Sequence, residues 1–190
     1  VKERLRQLLN HRDKLHIVDN ARVSSAVLLP LYERQGQYHI VFIKRTETVK
    51  EHKGQISFPG GTCEETDSTH LETALRESHE EIGLRLEDID VLGELDDEVT
   101  TTSNYIVSPF VGMIPWPYQF QINKYEVNEI IEVPIQALLN KDCRRQDTEI
   151  LNGQVVDSYI YHYQDRVIWG ATARILNRFL DIYVQAIQDA

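Results

Sequence analysis

Two apolar, β-branched runs, ARVSSAVLLPLY at 21–32 and YHIVFIKR at 38–45, stand either side of the polar stretch ERQGQ. Side chains alternate across a strand, so runs of this length commit the chain to a sheet. Gly36 can take the positive φ of a tight turn, which makes the pair an antiparallel hairpin. Pro30 has no amide hydrogen for a neighbouring strand, and predicts that the first strand is irregular or near a sheet edge there.

Such a sheet needs apolar cover, and both ends of the chain carry helical patterns. Leu5, Leu8 and Leu9 fall on one stripe of residues 1–12, and IWGATARILNRFLDIYVQAIQDA closes the chain. In the latter Ile175, Leu176, Phe179, Leu180, Tyr183, Val184 and Ile187 form a wide apolar stripe. Between these ends, residues 46–57 read as loop, DVLGEL and NYIVSPFVGMI as strands, and PWPY as a tight connection. VNEIIEVPIQALLN combines a short strand with a helical turn, and Asn152-Gly153 within TEILNGQVVDSYIYHY is a hairpin signal. Without repeats or linkers, the expected class is α/β in the α+β sense, a single domain over 1–190 with helices packed on a mixed sheet.

Composition removes several function classes. The formal charge is −10 and no run of Lys or Arg exceeds two residues, so a nucleic-acid partner is not expected. No stretch reaches the roughly 20 apolar residues of a membrane span. The first residues are charged and periodic, unlike a secretory signal. Cys63 and Cys143 have no metal-ligand spacing and read as reduced thiols of a cytoplasmic protein.

The segment GQISFPGGTCEETDSTHLETALRESHEEIGL, 54–84, carries the chemistry. Its helix is expected from about Ser68 to Ile82, with Asp67, Ser68 or Thr69 as N-cap, Thr69 and Glu72 in capping-box spacing, and Gly83 as the C′ glycine. Leu71, Leu75, Ser78 and Ile82 share one face, while Glu77, Glu80 and Glu81 fall within an arc of roughly 100° on another. Like charges at this spacing cost a few tenths of a kcal/mol per pair unless a cation compensates. A plain alternative is a solvated ladder of Glu72, Arg76 and Glu80. The preceding FPGG favours a site, because paired glycines let the backbone approach a ligand closely.

GGTCEETDSTHLETALRESHEEIGL resembles the signature of the Nudix hydrolases, with Arg76, Glu77, Glu80, Glu81, Gly83 and Leu84 matching its R-E-x-x-E-E-x-G-hydrophobic run. The interval from Gly61 to Arg76 is one residue longer than the general pattern, and the loop acid is Asp67, Glu64 or Glu65. VFIKRTETVKEHKGQISFPGG resembles the additional motif of the coenzyme A diphosphatase branch through Arg45, Gly54 and Phe58-Pro59-Gly60-Gly61. Lys50 stands there where that branch usually has arginine. IWGATARILNRFL is similar to members of the same branch.

The resemblance implies a Nudix-type α/β/α sandwich and hydrolysis of a nucleoside diphosphate derivative. The substrate it points to is coenzyme A or its thioesters, cut to 3′-phosphoadenosine 5′-phosphate and 4′-phosphopantetheine. Its alternatives are ADP-ribose, NADH or another nucleoside diphosphate, and a non-catalytic nucleotide sensor of the same fold. It further implies Mg2+ or Mn2+ on Glu77, Glu80 and Glu81, with the Gly60 carbonyl as a further ligand and Arg76 orienting the carboxylates. Candidates for the general base are Glu77, Glu126 and Glu129, with His52 a weaker one. Arg45, Lys50, Phe58 and Gly61 are expected to meet substrate. The expected partner is thus a small, coenzyme A-like nucleotide, without nucleic acid or membrane, and a homodimer is left open.

Overall fold

The computed structural model describes residues 1–47, 54–151 and 153–188; Lys50, His52 and Asn152 lie outside the described residues. In chain order the elements are α1 (Lys2–His11), β1 (Val23–Arg34), β2 (Gln37–Arg45), β3 (Ile56–Ser57), β4 (Gly60–Thr62) and α2 (His70–Ile82). There follow β5 (Asp90–Glu94), β6 (Glu98–Val99), β7 (Tyr105–Met113), β8 (Val127–Pro134), α3 (Ile135–Leu138), β9 (Arg144–Leu151), β10 (Gln154–Tyr163), β11 (Arg166–Ile168) and α4 (Gly170–Gln188).

β1 and β2 form the expected hairpin, with Arg34 opposite Gln37 and both turn residues at positive φ, Gln35 at 54° and Gly36 at 78°. This hairpin seeds a mixed eight-stranded sheet ordered β3-β2-β1-β7-β5, with β4 beside β1, β6 beside β7 and β8 beside β2. Among the described residues, only β1 and β7 run parallel. A second sheet, β11-β10-β9, contains the predicted hairpin, with Leu151 opposite Gln154.

Alternation along β1 and β2 sorts the core into two layers. Leu29, Leu31, Ile40 and Phe42 pack with α1, α3 and α4, whereas Ala26, Leu28, Tyr32, Val41 and Ile43 pack with Ala74 and Ile82 of α2. Helices therefore cover both faces of the sheet, the α/β/α arrangement. In α4 the buried stripe runs through Ala173, Ile175, Leu176, Phe179, Leu180, Tyr183 and Ala186, while Ile187 remains exposed.

One expectation is narrowed and two need correction. Of the two readings of Pro30, the irregularity holds and the edge position does not: β1 is a central strand that changes partner there, pairing with β4 at residues 25–27 and with β2 at 31–34. The Leu28 amide donates to the Pro59 carbonyl, so the alternating backbone turns the Pro30 nitrogen to the same side, in the interval between those two partners. The missing donor falls where no ladder bond is due. Residues 46–57 are not all loop, since β3 pairs Ile56 and Ser57 with Lys44 and Ile43. The α2 helix begins at His70, because Thr69 takes the N-cap and its Oγ1 accepts the Glu72 amide at 3.1 Å.

Candidate functional site

The site forms where α2 lies against β1 and the two-glycine strand β4. Glycine is required at both positions. A Cβ on Gly60, whose φ is 152°, would stand 2.3 Å from the Ala26 carbonyl oxygen; one on Gly61 would stand 2.5 Å from the Glu77 carboxyl carbon. Ala74 and Ser78 supply small side chains on the facing helix, and both are buried. Small residues on both partners thus bring a carboxylate over bare backbone.

This close approach changes the face of α2 that is buried. Instead of a stripe through Leu71 and Leu75, which are only partly covered, the packed face includes Thr73, Ala74, Ser78, Glu81 and Ile82. Glu81 belongs to that packed face, with 1% of its surface exposed. Its Oε1 accepts from Arg45 Nη1 at 3.0 Å and its Oε2 from the Gly60 amide at 2.9 Å. Burial dominates nevertheless and pushes its pKa up to about 8, against the pull of Arg45 and the Gly60 N–H. Burial also raises Glu77; Arg76 opposes that shift, and the charges of Glu80 and Glu126 reinforce it.

Arg76 is the hub of the other side. It donates to Asp67 through two bonds, Nε to Oδ1 at 3.0 Å and Nη2 to Oδ2 at 2.9 Å, the bidentate geometry that suits a guanidinium. It also reaches Glu77 Oε1 at 2.9 Å, the Thr62 carbonyl at 3.1 Å and Glu80 Oε2 at 3.4 Å. Asp67 additionally accepts from the Glu64 amide and the Thr73 hydroxyl, and its pKa falls well below the usual carboxylate range, led by the Arg76 bonds. Of the three loop acids, Asp67 is the one seated on Arg76; Glu64 stands 3.9 Å from it and Glu65 is exposed. The helical ladder is only half built, because Glu72 turns back to the Ser68 amide at 2.6 Å.

Glu126 reaches the cluster from a separate loop. The amides of Gln121 and Asn123 donate to the carbonyls of Ile82 and Glu81, each at 2.9 Å, and Asn123 Nδ2 donates to Glu126 Oε1 at 3.1 Å. Gly83 permits this docking: a Cβ there would lie 2.7 Å from the Gln121 Cβ. Glu129 is engaged elsewhere, accepting from Arg166 at 3.0 Å with Lys44 at 3.9 Å. Glu126 and Glu129, two of the base candidates, are therefore separated, the first beside the acids and the second in an ion pair on β8.

Among the described residues, no three acidic, histidine or cysteine side chains converge as a ready-made metal cage. The expected convergence of Glu77, Glu80 and Glu81 is replaced by a split, with the first two turned to Arg76 and the third to Arg45 and Gly60. The donor set nevertheless fits a hard divalent cation: oxygen ligands only, one carboxylate almost wholly buried, and a second over the surface of Gly61 that a side chain would fill.

A cleft of ≈ 200 Å³ meets the acids at Arg45, Gly60 and Gly61. Phe58 lines it and also packs in the core, 2% exposed and stacked on Phe42 at 4.8 Å. Other walls that were not among the expected site residues include the 100–103 loop, Tyr105, and Trp169 to Thr172 at the start of α4. Their only sequence signals are the hydroxyl run Thr100-Thr101-Thr102-Ser103 and the IWGATAR segment.

The NUDIX domain family matches residues 22–152. A protein of Photorhabdus laumondii named uncharacterized Nudix hydrolase NudL is 34% identical over 160 residues, 84% of each chain. The Escherichia coli K12 protein of the same name is 29% identical over 171 residues, covering 90% of this chain and 82% of its own. Among solved structures, a MutT/nudix family protein from Enterococcus faecalis superposes with a TM-score of 0.61 at 12% identity, covering 94% of this chain and 67% of that one. The NUDIX domain of Shewanella oneidensis NrtR, complexed with ADP ribose, gives 0.50 at 18% identity, covering 70% and 84%.

Proposed function

This chain belongs to the Nudix hydrolase family, and from that premise we propose that it hydrolyses the diphosphate of coenzyme A or its thioesters, releasing 3′-phosphoadenosine 5′-phosphate and 4′-phosphopantetheine. The observation that carries the site assignment is the buried Glu81, locked to Arg45 and the Gly60 amide while Glu77 lies over Gly61. The coenzyme A reading adds the motif of Arg45, Gly54 and Phe58 to Gly61. The principal alternative substrate is ADP-ribose.

Glu77, Glu80 and Glu81, with the Gly60 backbone, are the residues we assign to hold Mg2+ or Mn2+. When bound, the ion would neutralise phosphoryl charge and lower the pKa of an attacking water. That neutralisation matters in a protein of charge −10, which otherwise repels its substrate. Arg76 positions Glu77 and Glu80, and Asp67 fixes Arg76 in turn. Glu126, oriented by Asn123 at the edge of the acids, is the base we favour for the water's proton over the ion-paired Glu129. Arg45 borders both the acids and the cleft and is the cation we assign to the substrate's phosphates.

The two free cysteines, Cys63 and Cys143, suit a cytoplasmic enzyme. Among the described residues, no helix is long and apolar enough to cross a membrane.

The test is a panel of diphosphates with purified protein and Mg2+, with products separated and identified. Coenzyme A should give the two phosphomonoesters at the highest kcat/KM. Faster turnover of ADP-ribose or NADH would overturn the substrate assignment.

A further inference from the structure

Trp169 is 44% exposed, although both flanks of its turn are anchored: Ile168 is 1% exposed and Ala173 is fully buried. Gly170 follows it at φ 64°, where an added Cβ would meet nothing within 4 Å, so glycine is needed there for backbone conformation and not for space. The Trp169 carbonyl accepts the Ala173 amide at 3.4 Å, tying the residue to the first turn of α4. The backbone thus fixes a large aromatic side chain at the cleft wall that continues from Gly60, Gly61 and Arg45. Packing does not account for it.

A second observation comes from the 100–103 loop, which lines the same cleft. Ser103 Oγ is out of solvent contact and has no hydrogen-bond partner among the described residues. Thr100, by contrast, is satisfied, its Oγ1 accepting the Tyr105 amide at 2.8 Å. A buried hydroxyl without a partner is costly, and rotation about χ1 toward a polar ligand atom would relieve that cost.

We propose that this end of the cleft is the nucleobase subsite: Trp169 stacks on the adenine of the substrate and Ser103 hydrogen-bonds its edge. The proposal rests on the adenine-nucleotide diphosphatase reading, but coenzyme A and ADP-ribose both carry this base, so it is independent of the choice between them. A planar group with ring nitrogens uses both an aromatic face and a hydroxyl, whereas the flexible pantetheine arm offers nothing to stack. The subsite would hold the base while the diphosphate reaches the acids past Arg45.

The experiment titrates the protein with AMP, and separately with 4′-phosphopantetheine, following tryptophan fluorescence. Trp116, the other of the two tryptophans, is stacked on Tyr32 at 4.3 Å. AMP should change the emission and phosphopantetheine should not; in Trp169→Phe the AMP-dependent change should vanish. Stacking on this scale predicts that Trp169→Ala weakens AMP binding about tenfold or more. The substrate KM should rise by a similar factor with a much smaller change in kcat, and Trp169→Phe should recover most of the loss. Thermal melting of each variant separates loss of binding from loss of fold. A response to phosphopantetheine in place of AMP, or unchanged AMP affinity in a folded Trp169→Ala, would overturn the proposal. A protein that cleaves no diphosphate but binds AMP through Trp169 would refute the enzymatic reading and leave the subsite standing.

Discussion

Two arginine–carboxylate pairs flank the glycine strand, and they differ in kind. Arg76 grips Asp67 through two parallel bonds while also holding Glu77, and the pair depresses the Asp67 pKa. Arg45 reaches Glu81 through one bond, and there burial wins, so the Glu81 pKa rises. The first pair is mutually satisfied and acts as a latch on the loop. The second leaves a buried charge only partly compensated, the condition under which a further cation has most to offer.

The largest effect should come from breaking the second pair chemically while keeping its shape. Glu81→Gln preserves volume and, with the Gly60 amide, one hydrogen bond. Steady-state assay should show turnover lower by about 10²–10³-fold, the scale seen when charge-stabilising groups are lost. Above about pH 8, where Glu81 is ionised, the metal-free variant should melt no lower than wild type, because a buried charge has been removed. Gly61→Ala attacks the contact from the strand. Its methyl group would stand within 2.7 Å of all three Glu77 carboxyl atoms and must displace them. Activity should drop markedly while circular dichroism stays native.

The first pair should answer in stability more than in chemistry. Asp67→Asn loses charge-assisted bonds to Arg76 and should cost about 1–3 kcal/mol in denaturant unfolding, with a smaller loss of turnover than Glu81→Gln. The pH signs are opposite. Asp67 is depressed below its ordinary 3.8, so its stabilisation is complete above that value and is lost on acidification through the folded pKa. Glu81 is raised, so in metal-free protein stability declines as pH climbs from its ordinary 4.5 toward about 8. Unfolding of wild type and Asp67→Asn from pH 2 to 9 reads both limbs: the variant's deficit should shrink in acid, while the alkaline decline should persist in it.

Elements governed by local rules were legible in the sequence. Alternation placed the β1–β2 hairpin, Thr69 and Gly83 bounded α2, and the spacing of Arg76, Glu77, Glu80 and Glu81 marked the helix we assign to the metal. Features set by contacts across the fold were not. Helical periodicity assigned Glu81 to an acidic outer face, yet the small Ala74 and Ser78 opposite Gly60 and Gly61 draw that face inward. The choice of Asp67 among the loop acids depends on where the loop meets Arg76, which spacing alone leaves open. Glu126 joins the site only because Gly83 lets the 121–126 loop dock on the end of α2. Pro30 marked the irregularity of β1 but not its cause, because edge and partner change look alike in sequence: both lack a ladder bond at that residue.

The most direct test of the metal assignment is Mn2+ affinity, measured by electron paramagnetic resonance between pH 6 and 9 in wild type and Glu81→Gln. Below its raised pKa Glu81 holds a proton that the ion must displace, so wild-type affinity should climb by up to about tenfold per pH unit and level off near 8. In Glu81→Gln the affinity should be far weaker and the climb absent. Equal affinities with the same pH profile in both proteins would contradict the assignment of Glu81 as a metal ligand.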